Sequence, residues 1–191
     1  MEYKVFVYEG DTSKDDLSRR LAVDAVKAYC SAAGIAFDEA RNLMKEGENG
    51  KPYMEGLDVE FNVSHSGLLW MCMVGPAPCG LDLQVNREIN IKKYNKIIQR
   101  YFTPNEQDFC ERYGIEGFFR IWTHREAFGK FTGRGFYDQM PDFVGDDGLL
   151  KIEVEIPGTD RVAYVKDEPI APDIFMAYCT EGEDDHVVFT E

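Results

Sequence analysis

The stretch from Val59 to Val74, VEFNVSHSGLLWMCMV, constrains the fold more than any other part of the chain. Two apolar-rich runs flank Gly67, and Phe61 and Val63 alternate with Asn62 and Ser64 in the manner of a half-buried strand. Strands are expected at 59–64 and 68–74, with Ser64, His65 and Ser66 gathered at the turn between them. A third run, CGLDLQV at 79–85, follows Pro76-Ala77-Pro78 and is expected to complete a meander. A chain committed to strands at its centre is not a helical bundle. What the two hydroxyls and the imidazole hold is the question that the stretch raises.

On either side the period of the apolar residues changes. Tyr3 to Glu9 alternates as a first strand. Leu17 to Ala33 sets Leu21, Ala25, Ala28 and Tyr29 near one helical face and stops at Gly34, with Thr12 or Ser13 as the expected N-cap. EGENGKP, 46–52, reads as a Gly-rich turn between short strands. From Ile91 to Tyr101 the pattern is helical again, and Thr103-Pro104-Asn105-Glu106 has the N-cap, proline and acid of a new helix start. Gly114 is expected to end that helix. Gly117 to Thr132 forms another, closed by Gly133 and Gly135. Strands are expected at 149–156, 161–166 and 173–180, with His186–Thr190 as a last one. Helix plus antiparallel strands thus occurs twice, giving an α+β fold of two similar halves, 1–90 and 91–191.

Hydrophobic residues at 44% and aromatics at 13% suffice for a packed core. The formal net charge of -14 argues against general nucleic-acid binding, which needs a basic footprint, but leaves room for a small basic pocket. No apolar run approaches the roughly 20 residues of a membrane helix. The opening MEYKVFVYEG has neither a basic n-region nor a cleavage site, so a cytoplasmic chain is expected. Cys30, Cys72, Cys79, Cys110 and Cys179 are scattered, with no CxxC pair, and read as reduced, buried thiols.

Three segments carry chemistry. In GLDLQ, Asp82 and Gln84 share one face of a strand, and Gly80 permits close approach of a neighbour. Two oxygen side chains there suit a hard divalent ion such as magnesium. In FFRIWTHREAFGKFTGRG, residues 118–135, Phe118, Trp122, Glu126 and Lys130 fall along one helical stripe. Glu126 offers another oxygen and Lys130 a charge for a phosphate. Lys51, in Gly50-Lys51-Pro52, sits on a stiffened turn and can point at an anion. Singly, each has a plainer explanation: an exposed strand aspartate, a solvated Glu–Lys pair worth a few tenths of a kcal/mol, a loop lysine. Together they point to a phosphorylated substrate handled with a divalent cation.

GKPY, FNVSHS, GLDLQ and FFRIWTHREAFGKFTGRG, in that order, resemble the phosphopantetheinyl transferases of the surfactin-synthetase-activating type. The likeness covers residues 50–135, with weaker agreement into the helix from Leu17 and the strands after 149. It implies two α+β halves related by pseudo-twofold symmetry, with coenzyme A in the cleft between them. It implies transfer of the phosphopantetheine arm to a serine of an apo acyl or peptidyl carrier protein, with release of adenosine 3',5'-bisphosphate. Residue by residue, Asp82 and Glu126 match magnesium ligands, with Gln84 beside them. His65 matches the histidine on the ribose phosphate of coenzyme A, and Ser64 lies in the same binding turn. Lys51 matches a lysine near the nucleotide, and Lys130 one near the pyrophosphate. Arg19 resembles an arginine that meets the nucleotide phosphate, with Arg20 its neighbouring alternative. Glu126 is expected to take the proton of the carrier serine and Lys130 to meet the departing phosphate, making Glu126, Lys130 and Asp82 the catalytic set.

Two departures stand out: Gln84 replaces a frequent Glu, and Arg125 replaces the Lys before Glu126. Lys92, Lys93, Lys96 and Arg100 form the clearest basic cluster for an acidic carrier. Both halves of the cleft lie in one chain, so a monomer is expected. The alternatives are a weak or inactive relative that only binds coenzyme A or a carrier, and a serine hydrolase. The second lacks a G-x-S-x-G elbow, and adjacent Ser64 and His65 would point to opposite sides of a strand.

Overall fold

Two four-stranded sheets, packed face to face, form the centre of the molecule in a computed structural model that describes residues 1–14, 16–47, 49–86, 91–135 and 140–190, the side chains of 91–93 excepted. The strands are β1 (Glu2–Glu9), β2 (Met44–Glu46), β3 (Pro52–Met54), β4 (Glu60–Ser66), β5 (Leu69–Gly75), β6 (Gly80–Val85), β7 (Glu153–Glu155), β8 (Val162–Asp167), β9 (Ile174–Thr180) and β10 (His186–Thr190). The helices are α1 (Leu17–Ala33), α2 (Ile91–Tyr101) and α3 (Pro104–Thr132). The first sheet runs β10-β1-β5-β4, the second β6-β9-β8-β7, and β2 and β3 make a separate small ribbon. Every pairing is antiparallel except that of β10 with β1.

Strand alternation sorts the side chains into layers. Tyr3, Val5, Met71 and Met73 of the first sheet meet Leu81, Leu83, Met176 and Tyr178 of the second in one buried cluster. The outer face of the first sheet, with Phe61, Trp70, Cys72 and Val74, is covered by Ala22, Ala25, Val26 and Tyr29 of α1. The outer face of the second, with Ala163, Val165, Ala177 and Cys179, is covered by Ala127, Phe128 and Phe131 of α3. All five cysteines are buried and free. No helix among the described residues is long and apolar enough to cross a membrane.

The mixed helix-and-sheet architecture agrees with the sequence reading, but several details differ. The third central run does not complete a meander: β4 and β5 form the hairpin, whereas β6 crosses to the second sheet and pairs with β9. The final strand makes the reverse crossing, from the second half to β1. The boundary at 90 and 91 therefore does not divide the sheets, because burying the apolar face of β6 takes a partner from the other half. α1 starts after Asp16, in the left-handed region at φ 53, with no side-chain cap. Thr12 and Ser13 do not cap it; the Ser13 amide and hydroxyl both donate to Asp11 Oδ1 in a local turn. The expected strand at 149–156 is reduced to β7, with Val144 and Leu150 joined by an isolated bridge.

The N-terminus of α3 does carry its capping box: Thr103 Oγ1 accepts from the Glu106 amide, and Glu106 Oε2 from the Thr103 amide. Gly114, at φ 61 and ψ -133, breaks the helical path where an end was expected.

Candidate active site

The free edge of β6 organises the site. Its other edge pairs with β9, so the amides and carbonyls facing β4 need partners of another kind. Side chains supply them. Asn62 Oδ1 accepts from the Leu81 amide at 2.9 Å, Ser64 Oγ from Leu83 at 3.1 Å, and Ser66 Oγ from Val85 at 3.0 Å. Residues two apart on β4 thus meet residues two apart on β6. Two lysines complete the edge: Lys51 Nζ donates to the Cys79 carbonyl at 3.2 Å and Lys130 Nζ to the Leu81 carbonyl at 2.9 Å. This answers the question raised by SHS. Both serines hold β6, and they do so from within β4, not from a turn.

On the side of β6 toward α3, Gly80 sits against the helix backbone. A Cβ there would come within 2.0 Å of the Ala127 carbonyl oxygen and 2.6 Å of the Phe131 nitrogen. Only glycine lets α3 lie this close. One turn of helix then spans the distance between Glu126 and Lys130, and Lys130 Nζ reaches Asp82 Oδ1 at 2.8 Å. Asp82, 3% exposed, also accepts from Ser64 Oγ at 3.0 Å through Oδ1 and from Gln84 Nε2 at 3.1 Å through Oδ2. Glu126 is half-buried beside this group. Burial raises its pKa, the negative charge of Asp82 raises it further, and Lys130 opposes both.

Among the described residues, no group of three or more His, Cys, Asp or Glu side chains is arranged to hold a metal ion. The donor set here is smaller, consisting of two carboxylates and an amide. Two carboxylates and a side-chain amide nevertheless offer the hard oxygen donors that suit a divalent cation such as magnesium. Lys130 carries the positive charge at Asp82 Oδ1 in the structure.

Two adjoining cavities lie nearby, and Lys130 lines the first of them. One, of ≈ 230 Å³, has Lys51, Asn62, Gly129, Lys130 and Gly135 in its wall. The other, of ≈ 380 Å³, includes Thr12, Ser18, Arg19, Met44 and Phe61; both are bounded by Gly50, Pro52 and Val63. Arg19 lines the second cavity and is anchored by donation to the Met44 carbonyl. Asn49 Nδ2 donates to the Gly133 carbonyl at 2.7 Å, tying the loop before Lys51 to the end of α3.

Most residues singled out from the sequence converge: Lys51, Asp82, Gln84, Glu126 and Lys130 gather around the β6 edge, and Arg19 faces the adjoining cavity. Ser64 is placed differently from the expectation. It is 5% exposed, and its hydroxyl is engaged by Asp82 and Leu83. His65, on the opposite side of β4, is exposed, so the two do not form one gripping unit. Arg125 belongs to the fold. Its guanidinium is buried against Glu106 at 3.4 Å and stacks over Phe102 and Phe143. His124 is also buried, with Nδ1 2.8 Å from the Arg120 carbonyl oxygen, and burial lowers its pKa. Lys92 and Lys93, from the basic cluster, lie outside the described side chains. Sequence reasoning missed Asn62 and Ser66 as partners of β6. Their signal was the polar residues at 62, 64 and 66 alternating with Phe61 and Val63.

Residues 78–186 match the family model described as the 4'-phosphopantetheinyl transferase superfamily. The chain is 27% identical over 181 residues to the 4'-phosphopantetheinyl transferase Sfp of Bacillus subtilis (strain 168), an alignment that covers 90% of this chain and 77% of that protein. It is 30% identical over 145 residues to the 4'-phosphopantetheinyl transferase gsp of Aneurinibacillus migulanus, covering 71% of this chain and 55% of that protein.

Proposed function

Because the chain belongs to the 4'-phosphopantetheinyl transferase superfamily, we propose that it moves the 4'-phosphopantetheine arm of coenzyme A to a serine of an apo acyl or peptidyl carrier protein. The reaction is magnesium-dependent and releases adenosine 3',5'-bisphosphate. The observation that carries this reading is the seating of Lys51 and Lys130 on two carbonyls, those of Cys79 just before β6 and Leu81 within it. Both lysines face one cavity, next to the paired carboxylates Asp82 and Glu126. Carbonyls two residues apart on a strand lie about 7 Å apart, a span suited to two linked phosphates.

Each residue has a role in this scheme. Lys51 and Lys130 bind the pyrophosphate. Arg19 and His65 bind the nucleotide end, Arg19 from the wall of the adjoining cavity. Asp82 and Glu126, with the Gln84 amide, would hold magnesium, which supplies charge neutralisation at the pyrophosphate when bound. The carrier serine Oγ attacks the β-phosphorus of coenzyme A, and the bond from that phosphorus to the bridging oxygen breaks. Glu126, half-buried beside the site, takes the hydroxyl proton. Lys130 stabilises charge on the departing adenosine bisphosphate. Most of the rate comes from positioning and electrostatics.

The two halves, 1–90 and 91–191, are related by pseudo-twofold symmetry in this reading. The reciprocal crossing of β6 and β10 supports it, since each half gives one strand to the other's sheet. The enzyme works as a monomer in the cytoplasm. An inactive binding relative is not favoured, because Asp82, Glu126 and Lys130 are all present and convergent.

Intact-protein mass spectrometry of an apo acyl carrier protein incubated with the chain, coenzyme A and magnesium tests the proposal. A gain of one phosphopantetheine arm that disappears with EDTA supports it. No gain on several apo carriers, with coenzyme A still bound, would leave a binding protein instead.

A further inference from the structure

We propose that Ser64 is a positioning residue for Asp82: it fixes the carboxylate that faces the metal and does not itself grip coenzyme A. The inference rests on the reading of Asp82 and Glu126 as metal-facing carboxylates. Ser64 Oγ has one proton to give and lone pairs to accept with. It accepts from the Leu83 amide at 3.1 Å and donates to Asp82 Oδ1 at 3.0 Å. The acceptance fixes the hydroxyl to the backbone immediately after Asp82. The donation then sets the carboxylate against that backbone. At 5% exposure, with both roles filled inside the protein, the hydroxyl has little left for a ligand.

The neighbouring groups on Asp82 are less constrained. Lys130 has a long stem and is needed at the phosphates, and Gln84 is partly exposed. Ser64 is short and buried, and it comes from a strand paired along its length with β5. It is therefore the partner that keeps Asp82 aimed toward Glu126 while Lys130 moves between carboxylate and substrate. Outer partners of metal-facing carboxylates commonly change metal affinity by 10- to 100-fold when removed.

Ser66 provides an internal control. It makes the same kind of bond one step along the edge, to Val85, whereas the side chains on Asp82 are those of Ser64, Gln84 and Lys130. Ser64→Ala and Ser66→Ala each remove one side-chain bond to the β6 backbone, but only the first frees the carboxylate. Mn2+ binding is measured by electron paramagnetic resonance in the presence of coenzyme A and without carrier, so that no turnover occurs. Ser64→Ala is expected to weaken Mn2+ about tenfold, and Ser66→Ala by less than about twofold. Ser64→Thr, which keeps the hydroxyl, is expected to restore wild-type affinity. Thermal melts of the two alanine variants are expected to agree closely. If Ser64→Ala does not fold, Ser64→Cys, which fills the space with a weaker donor, takes its place in the comparison.

Equal Mn2+ losses in the Ser64 and Ser66 variants would overturn the inference, leaving both as mere edge partners. Unchanged Mn2+ affinity with a raised KM for coenzyme A would overturn it in favour of direct substrate contact. Failure of the wild-type chain to bind Mn2+ would remove the metal reading itself, and this inference with it, before any variant is compared.

Discussion

Lys130 Nζ lies between Asp82 Oδ1 at 2.8 Å and the Leu81 carbonyl oxygen at 2.9 Å, so a single ammonium joins α3 to both the side chain and the backbone edge of β6. Lys130→Met keeps much of the stem and removes the charge. The loss of one preorganised donor to a developing anion commonly costs two to three orders of magnitude in kcat. A fall of about 100-fold in kcat, with the KM for the carrier within about threefold, is expected from steady-state transfer kinetics. A kcat within fivefold of wild type would remove Lys130 from the chemistry.

Burial, and after it the negative charge of Asp82, raises the Glu126 pKa, while Lys130 opposes them. Glu126→Gln keeps the shape and loses the base. Transfer is expected to fall at least about 100-fold at saturating magnesium, while coenzyme A binding by calorimetry changes little. Near-wild-type turnover in this variant would defeat the assignment of Glu126 as the base.

The sequence made the gathering of Asp82, Glu126, Lys51 and Lys130 legible because each stood in a local setting with an unambiguous period or turn. Asp82 and Gln84 share a strand face whatever β6 pairs with, and Glu126 and Lys130 share a helical stripe whatever lies opposite. What stayed hidden depends on partners distant in the chain. No local pattern says that β6 leaves the β4–β5 hairpin for β9, or that β10 returns to β1. The role of Ser64 followed from that crossing: once β6 lies beside β4 without pairing to it, the polar face of β4 must satisfy a bare strand edge. Arg125 looked like a substituted site residue because it adjoins Glu126. One residue on a helix turns a side chain by about 100°, which carries it from the cleft into the packing around Glu106.

At Gly80 α3 packs so close to the backbone of β6 that an added Cβ would fall 2.0 Å from the Ala127 carbonyl oxygen. Gly80→Ala must push the helix away, and overpacking against backbone is costly. A loss of about 3 kcal/mol in chemical denaturation is expected, together with reduced transfer because Lys130 is carried off Asp82. Wild-type stability in this variant would show that α3 does not lie against β6 as described.

Lys96 and Arg100, four apart on α2, are both exposed, and the Arg100 guanidinium lies 5.1 Å from the Tyr101 ring centroid. On a chain of net charge -14 these exposed cations offer a complementary surface to a negatively charged partner. The double charge reversal Lys96→Glu with Arg100→Glu is expected to raise the KM for the carrier about tenfold and to leave coenzyme A affinity alone. An unchanged carrier KM would place docking elsewhere.

Glu106 is the buried acid that closes the α3 capping box, and burial pushes its carboxyl from 4.5 up to about 7 despite Arg125 and the Thr103 and Phe143 amides. A carboxyl raised on folding binds its proton more tightly in the folded chain than in the unfolded one. Its contribution is therefore fully present below about pH 4.5 and is lost as pH rises through about 7. Other acids also titrate over this range, so the informative quantity is the stability of wild type minus that of Glu106→Gln. The amide keeps an acceptor for the cap but does not titrate. That difference is expected to fall by about 2 kcal/mol from pH 5 to pH 8 in urea unfolding. A difference that stays flat, or rises with pH, would mean that Arg125 holds Glu106 ionised throughout, as a buried ion pair.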